Sequence, residues 1–379
     1  MIHPDSTLPP AKSIPNKFNV FQHIMTSLSF GLVVFFTLFY FPILESSHKL
    51  ISISSISFFI SFSIFLINYL IYIQKIDYIN QWNLERDRLK KEKIKLKRRA
   101  VTGNLIFTMT ALGNQGNSLL ALTNTALLKQ IEKEDKSIIK TANIPILTTQ
   151  NSIERYVGII DHFLFNNAES ISTIILNKQT KLMVLDNLSK SQKEYLIEKI
   201  NSLSIEDISN QIQFIPQSKL NALINKQANL LVHSPVFLLG IQVNTETCFY
   251  SEAVILIELL SNSKAHGASI HQSPGNSLDY CIESVLSFAG KVPYAIENIW
   301  YRNIGDFELS QILKKLAELG ISPPQNMINT NAIFGDVNEL SDLLLISLAL
   351  EQSKKNNLPQ LILNTENMHN ARIISNKNR

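Results

Sequence analysis

Val337–Ser353 reads VNELSDLLLISLALEQS, and its reading decides the fold. Leu340, Leu343, Leu344, Ser347, Leu348 and Leu350 recur at helical spacing, with small Ser347 and Ala349 among them. A surface helix carries a single apolar stripe. An apolar density this high predicts a helix buried on more than one side.

The segments around that helix alternate in kind. Short β-rich runs are predicted at Leu105–Thr110, Ile171–Leu176, Leu182–Leu185, Ile212–Ile215, Val236–Val243, Val254–Ile257 and Gln360–Leu363. Amphipathic helical stretches are predicted between them, at Ser118–Glu132, Ile153–Phe165, Ser191–Ser202, Lys219–Lys226, Leu278–Phe288 and Phe307–Leu319. Gly320 and Pro323-Pro324 supply stop signals for the last of these. Strands alternating with helices of this length give an α/β class. Residues 101–379 are long enough for one large domain or two similar halves.

Ahead of this lie two uncharged stretches, Phe18–Leu44 and Leu50–Gln74, separated by Glu45-Ser46-Ser47-His48-Lys49. Each exceeds the roughly 20 apolar residues that a helix needs to cross a bilayer. The pair reads as a transmembrane hairpin over residues 18–74, after a tail of residues 1–17. A signal-peptide core is about 7–15 residues and ends at a small-residue cleavage site. The first stretch is longer, and its FYFPIL ending is a poor cleavage context. Core helices of a soluble protein seldom run so far without a charge.

The chain has 379 residues and a formal net charge of +4. Residues 75–100 alone carry ten basic side chains against four acidic ones, a net +6, which leaves residues 101–379 at −3. The basic character therefore belongs to the membrane-proximal linker. Its Arg86, Arg88, Lys90, Lys91, Lys93, Lys95, Lys97, Arg98 and Arg99 fit a surface of anionic lipid headgroups. Basic residues beside a span stay cytoplasmic. Both termini and the large domain are therefore expected on the cytoplasmic side of an inner membrane. Tyr69, Tyr72, Tyr78 and Trp82 flank the inner end of the second stretch, as interfacial anchors do. Nucleic-acid binding lacks interleaved aromatics in the run and a matching fold.

Two cysteines, Cys248 and Cys281, make no disulfide framework. No CxxC or HExxH motif occurs, so neither a metal nor a cofactor is expected. Gly113-Asn114-Gln115-Gly116-Asn117 precedes a helix and has the composition of a phosphate cradle. It lacks the Lys-Ser/Thr of a Walker loop, and a capped turn is the simpler reading.

Several segments occur in an order that resembles the β-ketoacyl synthases and the wider thiolase-like group. Gly103–Gly113 resembles their opening strand and loop, and Pro235–Ile241 a later strand. Ser251-Glu252-Ala253 followed by Val254–Ile257 resembles the "GEGA" segment and its strand, with Ser251 where a Gly usually stands. Asn329–Asp336, ahead of the apolar helix, resembles the "K-x-x-x-GH" loop, and Leu361–Arg372 the last hairpin. The resemblance implies a thiolase-like layered domain of two similar α/β halves, central helices sandwiched between sheets, and a homodimer.

It also implies a Cys nucleophile on a strand-to-helix elbow and two His residues that polarise an acyl carbonyl. No cysteine lies between Met1 and Thr247, and Cys248 is out of register. Gly335 is followed by Asp336 where a His would stand, and Cys281 sits on the apolar side of a helix with Leu278 and Val285. The remaining pocket candidates are His233, Ser234, His271, Asp336 and His369, with Ser273 near His271. The expectation is a membrane-anchored, catalytically degenerate thiolase-like protein that binds or scaffolds an unidentified protein partner, as in a secretion or envelope assembly. A divergent acyltransferase or condensing enzyme and a non-catalytic acyl-lipid sensor are the alternatives. Convergence of the five candidates on one tunnel would favour an enzyme.

Overall fold

A computed structural model describes residues 10–376 apart from 14, 16–18, 41–46, 98–99, 124–127, 133–137, 146–150, 178–179, 204–207, 230–234, 245–249, 262–266, 290–294 and 366–368. The chain divides into two compact units, Ile2–Lys93 and Ile94–Arg379.

The first unit is helical. Helix α1 is Val20–Tyr40 and α2 is Ser47–Lys97. Among the described residues one helical stretch, Ile51–Leu89 of α2, is long and apolar enough to cross a membrane, and none of its apolar window is buried. Phe59, Phe62, Leu66 and Leu70 point outward, as do Phe21, Phe30 and Phe36 of α1. Leaving such surface in water costs about 25 cal/mol per Å². The two helices meet where Gly31 faces the Phe58 ring.

The second unit holds one eleven-stranded sheet, ten strands of which form a continuous path. Strands β1 (Val101–Thr110), β2 (Lys181–Leu185), β3 (Ile212–Ile215), β4 (Val236–Gln242) and β5 (Ala253–Leu260) lie side by side in the order 3-2-4-5-1. Strands β6 (Ala268–Gly275), β7 (Asn298–Arg302), β8 (Asn326–Asn329), β9 (Gln360–Asn364) and β10 (His369–Asn376) repeat that order as 8-7-9-10-6. In each half the second strand pairs parallel with the third and fourth, and the fifth runs antiparallel to both its neighbours. β1 and β6 join the halves as an antiparallel pair, with Val101 opposite Ile270. Gly113–Asn114 hairpins onto β1, and a separate hairpin pairs Lys129–Glu132 with Ile138–Thr141.

Helices α3 (Asn117–Thr123), α4 (Ser152–Leu176), α5 (Lys190–Asn201), α6 (Leu220–Asn229), α7 (Leu278–Phe288), α8 (Asp306–Glu318), α9 (Thr330–Phe334) and α10 (Ser341–Asn356) complete the unit. Strand alternation sorts their packing. Leu238, Ile255, Ile257, Trp300, Ile362 and Ile374 face a central layer containing α6 and α10. Val184, Phe237, Leu239 and Leu256 face α4 and α5 on one outer side. Leu361, Leu363, Ala371 and Ile373 face α7 and α8 on the other. The result is helix–sheet–helix–sheet–helix layering around a duplicated sheet.

A bulge between Leu105 and Phe107 serves both faces with one strand. Val101 and Leu105 point inward before it, and Phe107 and Met109 point outward after it. Helix α10 comes close to the sheet because Gly240 lacks a side chain. A β-carbon there would stand 2.7 Å from Leu343 and 2.8 Å from Leu340. α10 is buried on nearly every side, as its sequence predicts.

Two predicted elements differ. Ile171–Leu176, expected as a strand, is the last part of helix α4. Ile171 and Ile174 pack at helical spacing into the outer core, so tertiary burial overrides the β-branched preference. Ser118–Glu132 is a short helix followed by a strand. Strands β6, β7 and β8 were not expected, and β10 was expected only as the second arm of the last hairpin that the resemblance supplies. Their sequences mix polar residues into both faces, which hides the alternation.

Candidate functional site

One strand-to-helix elbow ahead of Ser251 lies between β3 and α6. It leads into the central layer and reads Pro216-Gln217-Ser218-Lys219, with no thiol and with Ser218 exposed. Beside it, in the first turn of α6, Asn221 is tied to β6 and β10. Its carbonyl accepts from Gln272 Nε2 at 2.7 Å. Its side-chain oxygen accepts from Arg372 Nη2 at 2.6 Å and from Asn370 Nδ2 at 3.0 Å.

Arg372 continues this network to α10. Its Nη2 meets Asp342 Oδ2 at 2.8 Å and its Nη1 meets Oδ1 at 3.3 Å. Asn364, the last residue of β9, donates to Asp342 Oδ1 at 2.6 Å. Arg372 is fully buried and Asp342 nearly so. Burial on its own raises the Asp342 pKa. The charge and hydrogen bonds of Arg372 outweigh that effect and, with Asn364 and the charge of Arg302, hold the carboxyl below its ordinary value. A carboxylate so engaged is a poor proton acceptor, and a guanidinium so engaged has little left for a substrate. The space between the first turns of α6 and α10 therefore holds an internal ion pair and its amide partners. The Asn370 side-chain oxygen is buried there without a hydrogen bond.

The candidates read from the sequence do not assemble there. His271 pairs with Ile373, and His369 with Gly275, so both histidines share the outer-facing parity of Ala371 and Ile373. They lie four registers apart along the ladder, about 13 Å at the usual strand rise. Ser273 is opposite Ala371 and has the same outward parity. Asp336 lies at the turn before α10. It accepts from Arg302 Nη2 at 2.7 Å and from the Asn338 amide at 2.9 Å, which engages it in holding the turn. His233, Ser234 and Cys248 lie outside the described residues. Cys281 is buried in α7, and burial pushes its thiol up to about 12. This is the core position its spacing predicts.

The two motif segments that carry the resemblance do meet. The Ser251 amide donates to the Asp336 carbonyl at 2.6 Å, and Ser251 Oγ accepts from the Ala142 amide at 2.9 Å. A β-carbon on Gly335, whose φ is +75°, would stand 2.5 Å from Ser251 Oγ. Glu252 is buried and binds Arg155 in a two-pronged ion pair, while also accepting from the Ile144 amide at 2.7 Å. Both residues are thus fixed as scaffold. The Gly113–Asn117 turn is filled from within. The Glu351 carboxylate on α10 accepts from the Gly116 and Ser118 amides at 2.5 and 2.7 Å.

Among the described residues no three His, Cys, Asp or Glu side chains converge as a metal site. In the linker, Arg88 pairs with Glu85 at 2.6 Å, while Arg86 lies 3.9 Å from Asp87. The Lys91 side chain is exposed. The side chains of Lys90, Lys93, Lys95 and Lys97, and residues Arg98 and Arg99, lie outside the described set.

Sequence reading missed Asn221, Asp342, Asn364 and Arg372. A partial signal existed: Asp342 heads the apolar run Leu343–Leu350, and Arg372 stands directly before Ile373 and Ile374. Neither is tolerated in a core alone, so each implies the other.

No family model matches this chain, and no curated protein matches it. Solved structures similar to it include three condensing-enzyme structures. One is an ishigamide ketosynthase/chain length factor, at 8% identity and TM-score 0.45, covering 73% of this chain and 99% of that one. Another is a type II ketosynthase in complex with its acyl-carrier protein and bound to a hexaketide, at 11% identity and TM-score 0.48, covering 74% and 99%. The third is 3-oxoacyl-[acyl-carrier-protein] synthase III from Aquifex aeolicus, at 11% identity and TM-score 0.39, covering 73% and 98%. The duplicated 3-2-4-5-1 sheet and its central helices are features of this chain itself. The large domain is thiolase-like in fold.

Proposed function

We propose that this is a two-pass inner-membrane protein whose thiolase-like domain lies on the cytoplasmic side and serves as a binding or scaffolding module. Catalysis of the condensing type is lost in this reading. The observation that carries it is the Asp342–Arg372 pair with Asn221, seated where the central helices begin and where no thiol stands. Span length and the +6 linker support the membrane placement. The basic linker lies against anionic lipid, and the domain pairs with a second copy. The partner it presents to is a protein, of the kind found in secretion or envelope assemblies.

The test uses the full chain in mild detergent, exposed to acyl thioesters and to an electrophilic inhibitor of condensing enzymes. No covalent adduct is expected by mass spectrometry. An adduct on Ser218, Cys248 or Cys281 whose replacement abolishes function would establish an acyl-transferring enzyme instead. A co-purifying acyl chain held without an adduct would make the domain a lipid sensor.

A further inference from the structure

The segment ahead of α1 carries a contact that the membrane reading does not use. Lys12 is held by α2 at three points. Its backbone amide donates to Asn83 Oδ1 at 3.0 Å, and its carbonyl accepts from Asn83 Nδ2 at 3.0 Å. Its ammonium donates to the Tyr78 hydroxyl at 2.8 Å. The same ammonium lies 4.2 Å from the centre of the Tyr78 ring and 4.2 Å from that of Trp82. The Trp82 indole N–H donates to the Pro10 carbonyl at 3.2 Å.

These are several recognition chemistries on one short peptide. An Asn side chain reads one residue's backbone in both directions, as a β-ladder neighbour would. Two aromatic faces, one helical turn apart with centroids 6.3 Å from each other, hold a cation. An indole fixes the carbonyl two residues earlier. Every partner of the ammonium among the described residues is uncharged, so these contacts are not a salt bridge.

We infer that Pro10–Lys12 is a strap, and that Tyr78, Trp82 and Asn83 form its receptor on α2. Docked, it ties the chain entering the first apolar helix to the chain leaving the second. It also occupies the two rings that would otherwise be free to sit among lipid headgroups. The strap rests on the two-pass reading for its biological place, but its chemistry does not.

The experiment is a spin–spin distance between Ala11→Cys and Gln81→Cys in the full chain, with Cys248 and Cys281 replaced by Ala, reconstituted in lipid nanodiscs. A narrow, short distance is expected. Lys12→Gln and Asn83→Ala should each lower the ratio of strapped to free population by about fivefold, and Lys12→Arg should keep it. Raising the salt should change the ratio little, since no ion pair is involved. A broad distribution in the parent protein would overturn the strap, and so would an Asn83→Ala variant indistinguishable from the parent. Topology reporters at each end separate the two ideas. Ends on one side with a broad distance reject the strap alone, and ends on opposite sides reject the two-pass reading as well.

Discussion

Helix α10 and the apolar part of α2 have similar compositions and opposite surroundings. α10 buries Leu343, Leu344, Leu345, Ile346, Leu348 and Leu350 around its whole girth. α2 turns Phe59, Ile64, Leu66 and Ile67 outward. The difference lies in what each has to meet. α10 is placed against inner sheet faces stripped back at Gly103 and Gly240. Among its buried residues it tolerates one charge, Asp342, because Arg372 answers it. α2 carries no Asp, Glu, Lys or Arg from Leu50 to Gln74. Apolar density alone does not separate a core helix from one that turns its side chains outward; here a buried, paired charge at the head of the run does.

The comparison breaks most sharply with one substitution made twice. Leu344→Asp puts an unpaired charge into the central layer and should abolish the domain's folded state, at a cost of several kcal/mol. Leu66→Asp should leave the domain's melting temperature unchanged while weakening membrane insertion by roughly 3 kcal/mol. Thermal melting of the two variants in detergent, with membrane fractionation, tests both. Equal melting temperatures would put α10 on the surface.

Arg372→Met comes next. It strands the Asp342 carboxylate in the core and should cost about 3–5 kcal/mol by chemical denaturation, while Asp342→Leu with Arg372→Met should recover most of the loss. A double variant as unstable as the single would show that the pair does not act as a unit. The pH dependence follows from the depressed Asp342 pKa. Its stabilisation is full above the ordinary value of 3.8 and is lost as pH falls through the lower folded value. Asp342→Asn should remove that acid-side component from a pH–stability curve.

The smallest effect on the domain should come from the largest cut. Deleting residues 1–74 should move the protein from the membrane to the soluble fraction, impair function, and shift the domain's melting temperature little. A large drop in melting temperature would mean that the apolar helices support the domain's core.

Much of the architecture was legible where burial imposes one period. Leu278–Phe288 and the long helix before residue 356 follow from apolar spacing, and β2 to β5 follow from their short β-rich runs. Strands β6 and β10 were not legible from their period, because His271, Ser273, Gln272, Asn370 and Arg372 scatter polar groups over both faces; only the resemblance to a last hairpin pointed to β10. The two histidine candidates do not converge, and strand parity is the reason. Histidines attract attention as catalytic groups, but in a strand the face is set by parity, and His271 and His369 fall on the outer one.

The sequence by itself determined that the chain carries uncharged helical stretches before a basic linker, that an α/β domain follows, and that no cysteine lies between Met1 and Thr247. These depend on composition and local period, which need no third dimension. Tertiary structure decided that the sheet is built twice to one plan, that Glu351 fills the glycine-rich turn, and that Asp342 meets Arg372 between the central helices. Those contacts join residues 30 or more apart, and only strand register and layer packing bring them together.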